Sequence, residues 1–336
     1  MSIMYLLLGF ILLNITAIIF VSHSLVGVIG TQSLGLLSLV KFLIFFALVY
    51  QKGITIFNEF ISFNKSDFEI DIKDSIRVIS IVLSALFTFY LNINMGMGPI
   101  VASAVVGLLG AIIISKYEVE VFCGSFVGMA SNLIFISYGQ LFLAAFISGL
   151  IFILVDNYFS GIGGKLGAIA FTGSILVGLF NRVEFLSGSI PDLNISTLLI
   201  IYSICGAVGT YVLSVRFNKG PVLSSAIVGL LAGIVLPLIY GDLGTQLALM
   251  AFCASFAGMS SKDILDNEFL VLISGIITAL IFIFTTPYLG GLGGKLGMTA
   301  FVSVISLRGS LSLIDLTRKE EFRGNRRSYN LATERD

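Results

Sequence analysis

Tryptophan is absent from the 336 residues, histidine occurs once and cysteine three times. Charged residues are only 11% of the chain, with Lys plus Arg and Asp plus Glu both at 19. Each shortage removes a class of function. A soluble domain carries about a quarter charged residues, so this chain cannot dress an ordinary water-facing surface. A net charge of zero gives no bulk attraction to nucleic acid, and no nucleic-acid partner is expected. The lone His23 cannot build a multi-histidine metal site or proton relay. Cys123, Cys205 and Cys253 all sit inside apolar stretches without CxxC spacing, so neither a disulfide framework nor a thiolate metal site is indicated. No metal, cofactor or catalytic residue is expected.

Hydrocarbon takes the place of charge. Hydrophobic residues are 57% and mean hydropathy is +1.05. The composition is that of an all-α polytopic membrane protein whose first partner is the lipid bilayer. Windows of about 20 residues can be placed near 3–22, 32–50, 76–93, 98–115, 119–136, 139–156, 163–181, 196–214, 220–240, 243–260, 267–286 and 292–308. That predicts about twelve transmembrane segments. Two of them, 119–136 and 243–260, are rich in small residues and open to reading as half-helices. The first window lacks a basic n-region and a clear cleavage site, so it reads as a membrane helix rather than a signal peptide.

Lys52, Lys65, Lys73, Lys116, Arg216, Lys219 and Lys262 fall in loops on one side, with a basic tail from Arg308, while Arg182 is nearly alone on the other. The positive-inside bias predicts cytoplasmic N and C termini in a bacterial-type plasma membrane. The expected division is two N-terminal membrane helices in 1–52, a cytoplasmic loop in 53–75, repeat A in 76–181, an external loop in 182–195, repeat B in 196–308 and a charged cytoplasmic tail in 309–336.

The repeats rest on three collinear blocks. GPIVASAVVGLL (98–109) matches GPVLSSAIVGLL (220–231), 122 residues on. FCGSFVGMAS (122–131) matches FCASFAGMSS (252–261), and LIFILVDNYFSGIGGKLGAIAF (150–171) matches LIFIFTTPYLGGLGGKLGMTAF (280–301), both 130 residues on. Gly and Leu bias alone does not align Pro, Cys, Met and Lys in one order. Leu236 to Gly244 is a suitable place for the extra residues. An odd number of spans per copy, five, makes the second copy enter from the opposite side, giving an inverted-topology pair. The five-plus-five plan is similar to that of urea channels, ammonium channels and several secondary transporters, in architecture alone; the motifs of none of them are matched.

The GxGGKLG turns carry Gly161, Gly163, Gly164 and Lys165, then Gly291, Gly293, Gly294 and Lys295. Each precedes a helix whose free N–H groups and positive dipole end suit an anion or a carbonyl oxygen. The span count puts the two turns toward opposite faces. The plainer reading is that the lysines snorkel to headgroups or that the glycines permit close packing. The motif lacks the GxxxxGK[ST] spacing of a P-loop. Ser125, Ser131, Ser255 and Ser261 lie on small-residue helices that either pack closely or line a polar passage. Cys123 and Cys253 occupy equivalent places, with filler and thiol chemistry as the two readings. Gly98-Pro99 and Gly220-Pro221 read as helix starts. Interior carboxylates are scarce, which weakens proton coupling and any paired-acid enzyme.

The expected function is a transporter or channel for a small solute or ion, anionic or carbonyl-bearing, with its path between the repeats. The alternatives are a membrane-embedded enzyme or lipid-handling protein that binds a phosphate headgroup, and a membrane scaffold. A homo-oligomer is compatible with all three.

Overall fold

A computed structural model describes residues 2–29 and 71–333, with side chains over 8–22 and 71–316. The predicted second span (32–50), His23 and residues 53–70 of the predicted 53–75 loop lie outside the described side chains. Among the described residues the fold is helical: α1 Ser2–Ile29, α2 Ile72–Phe89, α3 Pro99–Ile113, α4 Glu118–Gly128, α5 Tyr138–Leu154, α6 Lys165–Phe180, α7 Leu193–Tyr211, α8 Pro221–Tyr240, α9 Asp242–Gly258, α10 Glu268–Thr285 and α11 Lys295–Thr333.

Local chemistry sets the boundaries. Asp71 caps α2 in a reciprocal box with Asp74. Ser137, Asp192 and Asn267 cap α5, α7 and α10 by accepting from a backbone N–H in the first turn. Pro99 and Pro221 open α3 and α8, each after a glycine with φ of 76° or 79°. α2 and α7 each unwind at the C-terminus into one π-helical turn, Tyr90–Asn94 and Val212–Arg216. Those turns close through Met95 N to Tyr90 O (3.1 Å) and Phe217 N to Val212 O (3.0 Å).

Five helical stretches are long and apolar enough to cross a membrane: Ile72–Asn94, Leu193–Arg216, Pro221–Tyr240, Glu268–Thr285 and Lys295–Leu316. Four shorter apolar stretches accompany them: Leu8–Ser22, Pro99–Ile113, Tyr138–Leu154 and Lys165–Phe180. Phe180, Leu193 and Leu238 are 82%, 82% and 81% exposed. A surface of such side chains is built for lipid contact rather than water.

Two stretches gain detail from the structure. The window 119–136 is helical only to Gly128, within the half-helix reading its small residues left open. Its 11 residues rise about 16 Å, half the ~30 Å hydrocarbon core. The helix stops because the chain beyond it bonds elsewhere: Ser131 N donates to Gly291 O at 2.8 Å. The backbone of the charged stretch from residue 309 continues α11 to Thr333.

The centre is a crossing of α6 and α11. A Cβ at Gly164 would strike Phe301 N and Gly297 O; one at Gly294 would strike Phe171 N and Gly167 O; Gly167 and Gly297 lie against each other. Rising numbers in α6 meet falling numbers in α11, so the helices run antiparallel and their first turns overlap. At the crossing the two helix starts lie side by side and the helices lead away from each other. Glycine makes this possible, because no other residue lets the backbones come this close. α3 and α8 also pass antiparallel, with Gly233 against Ile100 and Val101, and Gly107 near Ala226.

α1 packs outside this centre. Phe10 stacks on Phe159 at 5.2 Å, and the Thr16 and Thr172 hydroxyls share a bond of 2.9 Å.

Candidate functional site

Both lysines of the glycine turns fold backward. Lys165 Nζ donates to Asp156 O at 2.9 Å. Lys295 Nζ donates to Thr285 O at 2.8 Å and also, at short range, to Tyr288 O. These carbonyls end, or immediately follow, α5 and α10. An ammonium there meets the negative end of the preceding helix dipole. That resolves the oddity of a cation at a helix start: the side chain serves the helix before its own. Lys165 also lines one cavity and Lys295 another.

The first cavity, of about 410 Å³, is lined by Arg77, Glu120, Asp156, Lys165, Pro221 and Met259, among others, and by Gly161, Gly163 and Gly164. The second, of about 450 Å³, is lined by Asn92, Pro99, Met129, Ser131, Thr286 and Lys295, among others, and by Gly291 and Gly294. Lys165 answers to Lys295, Met259 to Met129, Pro221 to Pro99 and Asp156 to Thr286 at the spacings of the matched blocks. Each cavity therefore takes its turn from one half of the chain and a proline-led helix start from the other. Two helix N-termini face each space, α6 with α8 and α11 with α3.

Four phenylalanines of α4 and α9 cluster beside the first cavity. Phe126 meets Phe256 at 4.6 Å, Phe122 meets Phe126 at 4.4 Å, and Phe252 meets Phe256 at 4.5 Å between ring centroids. Phe126 and Phe256 reach the lining of the Lys165 cavity.

The serines divide. Ser131 lines the Lys295 cavity, and Ser261 N donates to Gly161 O at 2.8 Å behind the Lys165 turn. Ser125 and Ser255 line neither space. Ser125 shares a bond with Ser103 (2.9 Å) and Ser255 with Ser225 (2.8 Å), all fully buried. They tie α4 to α3 and α9 to α8, so close packing is their structural part. Gly293 lies against the Phe126 and Val127 carbonyls. Cys123 and Cys253 are buried, and each thiol points at a first-turn carbonyl, Leu166 O at 3.4 Å and Leu296 O at 3.1 Å.

Sequence reading missed Arg77. Its Nε donates to Glu120 at 2.7 Å, and its two terminal nitrogens clasp Asp156 at 3.0 and 2.7 Å. The guanidinium lies over the Phe152 ring at 4.9 Å, with Asp74 a further 3.6 Å partner. A basic residue at the foot of an apolar helix looks like an interface anchor, and its partners are 43 and 79 residues away. Among the described residues no group of three or more His, Cys, Asp or Glu side chains is placed to hold a metal.

Comparison of the chain with protein families, with curated proteins and with solved structures finds no match.

Proposed function

We propose that this chain is an integral membrane transporter or channel for a small solute, with its path running between two inverted repeats. The observation that carries the reading is the pair of equivalent cavities, each with one lysine, drawn from both halves of the chain. Equivalent helices that cross antiparallel support inversion. Repeats related by an axis along the membrane normal would place such helices parallel; an axis in the membrane plane places them antiparallel. α6 against α11 and α3 against α8 both cross antiparallel.

On this reading the crossing at Gly167 and Gly297 lies near the bilayer midplane. α4 with 129–137, and 155–164 with α6, each cross as half helix and half irregular chain, which membranes tolerate where protein or a cavity covers the backbone. The count of about twelve spans and cytoplasmic termini belong to the same proposal. The phenylalanine cluster is its apolar constriction, of the kind that controls passage by dewetting. Four helix N-termini and two lysines favour a small anion or a carbonyl-bearing neutral solute.

An enzyme needs a free acid, base or nucleophile at the turn. Glu120 and Asp156 reach the Lys165 cavity, but Arg77 holds both, which favours transport over hydrolysis or group transfer.

The test is flux of small anions and neutral solutes into liposomes. Wild-type protein is expected to carry at least one of them, and Lys165→Ala with Lys295→Ala to lower that flux while the protein stays folded. Wild-type flux in the double variant contradicts the assignment of the lysines. No flux of any small solute contradicts the transport reading.

A further inference from the structure

The two cavities differ in their charges. Besides Lys165, its cavity is lined by Arg77, Lys116, Glu120 and Asp156; the positions in the other half that correspond to Arg77, Glu120 and Asp156 are Leu199, Met250 and Thr286, all uncharged. The second half reaches the same helix arrangement without these charges, so the fold itself does not call for them.

We infer that Arg77, Glu120 and Asp156 form a latch on the Lys165 cavity, with Glu120 as its fixed post and Asp156 as its releasable arm. The two ends of the fork sit in different surroundings. The Glu120 side chain is 8% exposed and the Asp156 side chain 46%. A buried partner is costly to strip, whereas water readily takes over a half-exposed carboxylate. When the fork opens, Arg77 stays on Glu120 and Asp156 turns to solvent with its charge unchanged. Asp156 also carries the carbonyl that accepts from Lys165. Its release therefore loosens the segment from Asp156 to Ile162, whose Asp156, Ser160, Gly161 and Ile162 form part of the cavity wall. Asp74, 3.6 Å from Arg77, keeps the guanidinium in place on the α2 side.

The opposite cavity is covered differently. Leu186 and Gly290 exchange backbone bonds of 3.1 and 2.8 Å, and Leu186 lies over Gly291. A strap of the loop between α6 and α7 stands there in place of ion pairs.

The latch rests on the transport reading only for what its opening serves, and cavity access is measured without any solute. The probe is a soluble methanethiosulfonate reagent acting on purified full-length protein. The reporter is Val222→Cys in a Cys205→Ser background; Val222 lines the Lys165 cavity and is 1% exposed. The remaining cysteines are buried, and the background without the reporter sets the baseline. Asp156→Thr copies the other half and is expected to speed labelling roughly tenfold or more by raising the open population. Asp156→Glu keeps the carboxylate and is expected to label within about twofold of the parent. Added salt should speed the parent and leave Asp156→Thr unchanged, because a half-exposed pair is screened. Equal labelling of Asp156→Thr and the parent overturns the latch. So does equally fast labelling of the Thr and Glu variants, which would make position 156 a packing site rather than a charge contact.

Discussion

Gly294 and Gly96 both hold positive φ, at 81° and 67°, but only one is walled in. Nothing lies within 4 Å of a Cβ at Gly96, whereas a Cβ at Gly294 meets the backbone of Phe171 and Gly167. Gly96→Ala is therefore expected to cost only the left-handed conformation, about 1 kcal/mol. Gly294→Ala adds backbone overlap and should cost ~3 kcal/mol or more, read as a lower thermal midpoint or failure to elute as one species. The lysines give a second contrast. Lys295→Met removes bonds to two carbonyls and Lys165→Met a bond to one. The Lys295 bonds are part-buried and the Lys165 bond is exposed, so thermal denaturation should show the larger loss at position 295, on the order of 1 kcal/mol or more. Thr88 and Thr210 point the other way. Their hydroxyls are buried without a hydrogen-bond partner, so Thr88→Val and Thr210→Val should hold or raise stability by up to about 1 kcal/mol. At this scale the sequence was legible in residue type and blind to partner. The GGKLG turns stood out at once, but that each lysine reaches back to the preceding helix depends on how the chain folds over the turn.

At the scale of elements, apolar windows located most helices within a few residues, because a hydrocarbon solvent imposes length and composition together. α2, α5, α8 and α10 lie where hydropathy put them. α4 stops at Gly128, within the half-helix reading left open for its window, and just beyond it Ser131 N bonds Gly291 O, a partner 160 residues away that no local pattern shows. The ion pair of Arg77 with Asp156 was equally hidden, being a contact between the start of α2 and the end of α5. The serine bridges between neighbouring helices are testable in the same way. Ser125→Ala strands the Ser103 hydroxyl, and Ser255→Ala strands Ser225. Each single change is expected to cost about 1 kcal/mol, and the Ser103→Ala, Ser125→Ala double variant clearly less than the sum of its singles. Additive losses in a double-mutant cycle would remove the bridge from the account.

For the whole molecule, the matched blocks were visible in the sequence, while the meeting of the two glycine turns at one crossing was not. The spacing of repeats says which residues correspond; it does not say that Gly167 touches Gly297, which follows from two glycine-lined helix faces with no side chain between them. The proposed inverted repeats imply that the two equivalent cavities open to opposite faces of the membrane. Met259 lines one and Met129 the other. The most direct test places Met259→Cys or Met129→Cys in the Cys205→Ser background and reconstitutes each in sealed vesicles of one orientation. A membrane-impermeant thiol reagent is then added outside or inside. The account predicts that the two positions label from opposite sides. Labelling of both from the same side would contradict it.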